Sequence, residues 1–232
     1  MHYWIKGFGG EECRRIFDVW VTYYGPEKDK YRDMSDFCNE RQGGKFPNLL
    51  HVYQNWRSIL DKYQAIFVMD DDLIIDTFAI NRLFEIHEQF DLWLLQPAFH
   101  PRGKISHPIT RMNQDCFLRY TNFVENTCPL FRKDKLDAFM EVFDPVLNGW
   151  GIDFWYHHVL GENRKKIAIV DAFPCINPHD SLKEGQREID TLEETSSCIK
   201  KYAEIRAQYG IVEYLPTEFA RIERRGRPDR KT

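Results

Sequence analysis

Residues 65–76 read AIFVMDDDLIID, and this stretch decides how the rest of the chain is interpreted. Mostly apolar residues, which predict a buried strand, lead into three consecutive aspartates, Asp70, Asp71 and Asp72. Acidic runs usually lie on solvated faces, but this one stands between two hydrophobic stretches. Neighbouring carboxylates are expensive to desolvate unless a cation or hydrogen-bond donors compensate them. The stretch therefore points to a ligand at the tip of a strand.

The composition is that of one sizeable globular domain, with 232 residues of which 43% are hydrophobic and 15% aromatic. A formal net charge of -4 argues against a general electrostatic attraction to nucleic acid or anionic membranes. The six cysteines form no C-x-x-C pair, which argues against a zinc ribbon or thioredoxin-like site. Scattered cysteines favour reduced thiols in a cytoplasmic compartment, and a disulfide-bonded secreted protein is the alternative. Since no transmembrane run and no secretory signal is visible, we expect a soluble protein.

Strand-like and helix-like patterns alternate along the chain, which is typical of an α/β fold with a mainly parallel sheet and helices on both faces. We expect a domain over residues 1–184, followed by a C-terminal helix and basic tail over 185–232. Strands are predicted at 17–25, 65–69, 92–99, 123–131 and 166–174. Helices are predicted from near Pro47, over 76–90 with Asp76 as the N-cap, over 133–143 and over 151–160.

The acidic triplet would lie where ligands collect in open α/β sheets, at the carboxyl end of a strand. Hard divalent cations such as Mg²⁺ or Mn²⁺ prefer carboxylate oxygens, and they also bridge a diphosphate. The alternative is an acidic cluster at the N-terminus of a helix, stabilised by the helix dipole. A D-x-D pattern alone does not separate the two, and the preceding apolar strand favours the metal site.

Lys45 lies in the segment GGKFP, after two glycines and directly before a predicted helix. This position suits the binding of phosphate oxygens. The chain contains neither a Walker A loop nor a G-x-G-x-x-G motif after a strand, so the classical P-loop and dinucleotide-binding folds are not indicated.

Six segments, the first of which contains the acidic triplet, occur in a fixed order between about Phe17 and His179: YQAIFVMDDDLIID, INRLFEIHEQFDLWLLQPAF, SHPIT, RYTNFVE, GWGIDF and IAIVDAFP. This arrangement resembles the bacterial and plant proteins grouped as domain-of-unknown-function family 707, which are similar in turn to glycosyltransferases of the GT-A fold. The resemblance covers about two thirds of the chain. It implies a GT-A-like, nucleotide-sugar-binding domain with a D-x-D metal site.

The resemblance implies a metal-dependent glycosyltransferase of the hexosyltransferase type. Such an enzyme moves a sugar from a nucleoside-diphosphate sugar, with a UDP-sugar favoured, to a hydroxyl of an oligosaccharide or other glycan. Asp70 and Asp72 would hold Mn²⁺ or Mg²⁺ at the diphosphate, where the cation stabilises the leaving group. Asp71 would lie nearer the ribose or the sugar hydroxyls. Tyr23 and Tyr24 end the first strand, where this fold usually holds the nucleoside base, although both also suit a core.

The acceptor side is assigned in the same way. Asp153 would bind the acceptor hydroxyl and, in an inverting enzyme, remove its proton. Trp150 offers a face to a sugar ring, Gly151 lets the backbone approach a ligand, and His107 and Glu125 are substrate contacts. Each has a structural alternative: an N-cap for Asp153, a core position for Trp150, a loop contact for His107 and an ion pair for Glu125.

One position departs from the family pattern. Asn177 stands where the family generally has a histidine that suggests a third metal ligand, and His179 is the nearest substitute. Alternatively, only the aspartates, the phosphates and water hold the metal. Competing functions are a sugar nucleotidyltransferase and a non-catalytic, carbohydrate-binding GT-A-like module. A hydrolase has only its carboxylates in its favour.

Overall fold

The computed structural model describes residue 4 and residues 13–27, 29–179 and 194–224. The strands are β1 (Trp20–Tyr23), β2 (Phe37–Glu40), β3 (Ala65–Phe67), β4 (Leu94–Phe99), β5 (Cys116–Thr121), β6 (Leu130–Arg132), β7 (Ile167–Cys175) and β8 (Glu218–Glu223). The helices are α1 (Lys45–Asn55), α2 (Arg57–Leu60), α3 (Thr77–Gln89), α4 (Lys133–Met140), α5 (Ile152–Leu160) and α6 (Thr195–Tyr209). None of these helices is long and apolar enough to span a bilayer.

The main sheet has six strands in the order β3-β6-β4-β7-β5-β8, and a separate two-stranded parallel sheet is formed by β1 and β2. The prediction of a mainly parallel sheet is wrong. Among the described strands of the main sheet, only β4 and β7 are parallel neighbours, whereas the pairs β3–β6, β6–β4, β7–β5 and β5–β8 are antiparallel. The sheet is therefore mixed.

The error has a topological reason. Strands β3, β4 and β7 do run in one direction. However, β6 runs the other way and lies between β3 and β4, so it converts the expected parallel contact into two antiparallel ones. The strand β5 follows β4 through a segment with one 3₁₀ turn, Pro108–Thr110, and no α-helix.

The predicted strand over 123–131 is also largely wrong, because only its last two residues belong to β6. Residues 122–129 form a loop instead. This loop is stabilised by polar contacts, including the Thr121 hydroxyl donating to the carbonyl of Phe123 at 2.8 Å. Glu125 consequently lies in a loop beside the edge of the sheet and not within a strand.

The helical predictions are confirmed, and helices cover both faces of the sheet. Asp76 caps α3, because its side chain accepts a hydrogen bond from the amide of Ala79 at 2.7 Å. Adjacent residues of β4 face opposite ways: Leu94 packs with α1, α4 and α5, and Leu95 packs with α3. The core is thus two apolar layers separated by the sheet.

The chain after residue 193 contributes to both layers. Helix α6 packs Tyr202 and Ile205 against the face that holds α5, and β8 pairs with β5 as the last strand of the main sheet. The proposed division at residue 185 stays a prediction. Most of the predicted basic tail lies outside the described residues.

Candidate active site

The carboxyl ends of β3, β4 and β7 meet at one edge of the main sheet, and the acidic triplet lies there. Because β6 is antiparallel to β3, the loop that precedes β6 returns to the same edge. The amide of Asp70 donates to the carbonyl of Thr127 at 3.1 Å, and the amide of Val68 donates to that of Pro129 at 2.9 Å. The unexpected direction of β6 therefore places residues 125–127 beside the triplet.

A cavity of about 1180 Å³ opens at this edge. This volume is slightly above the usual range of small-molecule sites, about 300 to 1,000 Å³. One part of it is lined by β1, β3 and α3, which contribute apolar side chains such as Trp20, Ile66 and Phe84, and a second, polar part lies at the carboxyl edge. Polar or small residues that line this part include Tyr24, Gly43, Gly44, Lys45, Asn48, Asp70, Asp71, Asp72, Asn126, Asn148 and Gly149.

Lys45 lies at the centre of the polar part. It is the first residue of α1, and its ammonium donates to Asp70 Oδ1 at 2.6 Å, to the carbonyl of Thr127 at 2.9 Å and to the carbonyl of Asn126. The side chain of Lys45 is 21% exposed and that of Asp70 is 43% exposed. One cationic group thus joins the acidic triplet to the loop before β6.

The backbone beside Lys45 is closely packed. A Cβ atom on Gly44 would lie 2.5 Å from the carbonyl oxygen of Asn148, so a side chain there would displace the 148–151 loop. Gly43 has a φ of +146°, which disfavours other residues. Asn48 fixes this turn by donating to the carbonyl of Gly43 at 2.9 Å.

Tyr24 and Asp71 face each other across the cavity mouth, with the tyrosine hydroxyl donating to Asp71 Oδ2 at 3.3 Å. Desolvation by surrounding protein raises the pKa of Asp71, and the neighbouring charges of Asp72 and Asp70 raise it further. The triplet is therefore a site of unfavourable negative charge that a bound cation would relieve.

Two buried carboxyl groups, those of Asp153 and Glu125, interact electrostatically with each other, and Glu125 also interacts with Asp70. Asp153 is on the first turn of α5, and Oδ1 accepts from the amide of Phe154 at 3.0 Å. Burial raises its pKa to about 6. Glu125 accepts a 2.8 Å hydrogen bond from the hydroxyl of Thr127, and burial, then the charges of Asp153 and Asp70, raise its pKa to about 7. In the described part of the chain, Glu125 Oε2 is buried and has no hydrogen-bond partner.

Helix α5 holds these two carboxyl groups in a fixed relation, because its next turn is bonded to the residue before Glu125. The hydroxyl of Tyr156 donates to the carbonyl of Val124 at 2.5 Å, and the amide of Val124 donates to Nε2 of His157 at 2.7 Å. Burial lowers the pKa of His157 to about 4, so the ring is neutral and its Nε2 is free to accept.

The other residues predicted to bind the acceptor are Gly151, Trp150 and His107, and each has a different structural environment. Gly151 adopts a φ of +84° and a Cβ atom there would lie 2.1 Å from the ring of Tyr202, so this glycine makes room for α6. Trp150 is 52% exposed, and His107 packs against Phe123 with ring centroids 4.6 Å apart. Burial lowers the pKa of His107.

Of the two predicted base-contacting tyrosines, only Tyr24 lines the cavity. Tyr23 packs edge-on against Tyr31, with ring centroids 5.3 Å apart, and its hydroxyl lies against Gly25. Sequence reasoning missed Asn126, whose side-chain amide donates to the carbonyl of Gly149 at 2.7 Å and so links the two loops at the cavity. No local pattern distinguishes this asparagine from an ordinary loop residue.

The triplet fits a divalent cation in the type of its donors, since carboxylate oxygens suit Mg²⁺ and Mn²⁺ and Asp70 already binds one cationic group. Nevertheless, over the described residues no three His, Cys, Asp or Glu side chains are grouped so as to hold an ion. His179 is exposed and Asn177 is buried, with its carbonyl accepting from the amide of Lys104 at 2.7 Å. A protein-only coordination shell is therefore not formed.

Comparisons with known proteins concern the fold of the chain and one part of its sequence. No curated protein matches the chain. The structure of S. aureus TarS 1-349 in complex with UDP-GlcNAc is similar, with a TM-score of 0.54 and 14% identity over 83% of this chain and 57% of that one. A second structure of S. aureus TarS 1-349 gives a TM-score of 0.47 and 13% identity over 70% of this chain and 51% of that one. The chain spans only a little over half the length of these TarS structures.

A family model described as "Protein of unknown function (DUF707)" matches residues 55–147. This range includes the acidic triplet, helix α3, strands β3 to β6 and Glu125. The resemblance that the motifs predict is therefore confirmed over residues 55–147, where the chain is similar to the DUF707 family, and the mixed α/β fold is similar to that of S. aureus TarS.

Proposed function

We propose that the chain is a metal-dependent glycosyltransferase that moves a sugar from a nucleoside-diphosphate sugar to a hydroxyl of a glycan. The observation that carries this proposal is the acidic triplet at the polar part of a cavity, where Lys45 binds Asp70 and its charge also acts on the buried carboxyl group of Asp153. These are the parts that sugar transfer requires: a site for a diphosphate leaving group and a base for an acceptor.

On the donor side, Asp70 and Asp72 would hold Mg²⁺ or Mn²⁺, with the diphosphate and water completing the shell. When bound, the cation would neutralise the charge that develops on the departing nucleoside diphosphate. Lys45 adds a positive charge at the same oxygens, and Tyr24 with Asp71 would contact the nucleoside. A UDP-sugar is favoured, since the similar TarS structure contains UDP-GlcNAc. His179 as a further ligand stays a prediction.

On the acceptor side, Asp153 would accept the proton of the attacking hydroxyl. Its pKa of about 6 leaves it mostly ionised at neutral pH, so it is able to act as a base. Glu125, whose buried Oε2 has no hydrogen-bond partner within the described residues, would receive a hydrogen bond from a substrate hydroxyl. Trp150 and His107 are secondary candidates for contacts with the glycan.

The donor half of the proposal is tested by calorimetric titration with UDP and with GDP, each with and without Mn²⁺. Metal-dependent binding of UDP is expected. If neither nucleotide binds under either condition, the catalytic proposal fails. A screen of nucleotide sugars for slow hydrolysis to free sugar and nucleoside diphosphate then identifies the donor.

Two substitutions separate the proposed roles. Asp72→Asn should weaken Mn²⁺-dependent UDP binding by about tenfold or more, because one anionic ligand is lost. Asp153→Asn should preserve UDP binding and reduce transfer by about 10²- to 10⁴-fold, since it removes the base. The measurements are calorimetry for the first effect and turnover of the identified donor for the second. Normal turnover by Asp153→Asn would remove this residue from the mechanism.

A non-catalytic carbohydrate-binding module is the second candidate, and one observation favours it. The described residues do not provide three metal-ligating side chains in one group. On this reading the protein binds glycans without metal-dependent nucleotide binding. Glycan binding together with no release of sugar from any donor would support the module over the transferase.

A further inference from the structure

The ammonium of Lys45 is surrounded by oxygen atoms in a way that a metal ion would also satisfy. It contacts one carboxylate oxygen, Asp70 Oδ1, and two main-chain carbonyl oxygens, those of Asn126 and Thr127. A lysine ammonium has three N–H donors, so these contacts use all of them. Carboxylate and carbonyl oxygens are also ligands of hard divalent cations.

From this geometry we infer that Lys45 is a built-in counter-ion that competes with the divalent cation for Asp70, and that a bound nucleoside diphosphate displaces the ammonium so that the cation can bind. The inference rests on the proposed function and deepens it by giving the order of events at the site. The metal binds weakly to the nucleotide-free protein and tightly once the diphosphate is present.

The competition follows from charge and distance. The ammonium lies 2.6 Å from Asp70 Oδ1, and it would repel a divalent cation bound to the same carboxylate. The diphosphate offers the ammonium several anionic oxygens in place of one. Lysine carries its charge on a flexible four-carbon stem, so it is able to turn from Asp70 to the phosphates without a backbone change.

The position of Lys45 supports this movement. The residue begins α1, and both it and the preceding Gly44 line the cavity that contains Asp70 and Asp72. The same ammonium lowers the pKa of Glu125 and of Asp153 through its charge, although burial dominates both. Lys45 is therefore the cationic group through which the donor site and the acceptor carboxyl groups influence each other.

The test is Mn²⁺ binding to the nucleotide-free protein, measured by calorimetry for the wild type, Lys45→Gln and Lys62→Gln. Lys62 lines the same cavity, is exposed and makes no ion pair within the described residues, so Lys62→Gln is the matched control. Lys45→Gln should bind Mn²⁺ about tenfold more tightly than the wild type, since a competing charge is gone. Lys62→Gln should bind like the wild type.

A second readout is the coupling between UDP and Mn²⁺. Saturating UDP should tighten Mn²⁺ binding to the wild type, and the factor should be smaller for Lys45→Gln, which has no ammonium to displace. The thermal unfolding midpoint shows that each variant is folded, and its rise on addition of Mn²⁺ should be larger for Lys45→Gln than for the wild type.

The outcomes distinguish this inference from the proposed function. If the wild type binds Mn²⁺ equally well with and without UDP, or if folded Lys45→Gln binds it no more tightly than the wild type, competition by Lys45 is refuted while metal dependence stands. If no variant binds Mn²⁺ with or without UDP, the metal-dependent function itself is refuted.

Discussion

The carboxyl group of Glu125 shows how burial links a site residue to the stability of the fold. Burial, then the charges of Asp153 and Asp70, raise its pKa from 4.5 to about 7. A raised pKa means that the folded protein disfavours the ionised form. The contribution of Glu125 to stability is therefore fully present below about pH 4.5 and is lost as the pH rises through 7.

We predict that Glu125→Gln becomes more stable, relative to the wild type, as the pH increases from 5 to 8. The shift in the free-energy difference should be at most about 3 kcal/mol, because glutamine does not ionise. Denaturant unfolding of both proteins at the two pH values measures it, and any constant cost of the substitution cancels. Glu204→Gln, at an exposed position on α6, is the control and should show little change. If the stability difference between Glu125→Gln and the wild type also changes little between the two pH values, the pKa of Glu125 is not raised by burial.

At the scale of elements, α5 determines where the loop before β6 lies. The helix bonds both main-chain groups of Val124, through Tyr156 and His157, and it carries Asp153 one turn earlier. Since Val124 directly precedes Glu125, these two hydrogen bonds fix the separation of the two carboxyl groups. A helix of this kind positions residues more precisely than a free loop does.

We predict that Tyr156→Phe destabilises the protein by about 1 to 3 kcal/mol, because a buried carbonyl, that of Val124, loses its donor. Chemical denaturation measures this change. Tyr120→Phe is the matched control, since the described residues offer the Tyr120 hydroxyl no hydrogen bond, and it should change stability by less than about 0.5 kcal/mol. Equal effects of both substitutions would show that the Tyr156 hydroxyl contributes nothing specific.

Elements with a local signal were predictable from the sequence. Asp76 before an amphipathic run gave the start of α3, and the apolar run ending at Asp70 gave both β3 and the position of the triplet. The direction of β6 was not predictable, because it depends on pairing with β3 and β4 from distant parts of the chain. Strands β2, β5 and β8 were not predicted, because they too depend on pairing with other parts of the chain.

In the candidate site, too, local features were predictable from the sequence and long-range contacts were not. Motif reasoning found Asp70, Lys45 and Asp153 one at a time, each from its neighbours in sequence. It did not find that Lys45 contacts the carbonyl of Thr127, a residue 82 positions away. The contact exists because the loop returns with β6, and such long-range geometry leaves no periodic pattern in the sequence.

At the scale of the whole molecule, a buried ion pair connects β7, β5 and β8, the three strands at one side of the main sheet. Arg119 on β5 forms two hydrogen bonds, at 2.8 and 2.9 Å, with Asp171 on β7. Its remaining donors bind the carbonyls of Ile109 and Arg111, in the segment that follows His107. Arg224, directly after β8, donates to the main-chain carbonyl of Asp171. The pair thus connects three strands and the His107 loop.

We predict that Asp171→Ala destabilises the protein by about 3 to 5 kcal/mol, because it removes the carboxylate that binds the buried guanidinium of Arg119 directly and leaves only Glu218, at 3.7 Å, as its counter-ion among the described residues. For a chain of this size that loss lowers the thermal midpoint by roughly 10 °C. Arg221 is exposed on the neighbouring strand β8, where it pairs with the half-buried Glu218, and it provides the control. Arg221→Ala should cost less than about 1 kcal/mol, since water screens exposed pairs. Calorimetric melting of the wild type, Asp171→Ala and Arg221→Ala measures these differences. If Asp171→Ala melts no lower than Arg221→Ala, the buried pair does not stabilise the connection between β5, β7 and β8.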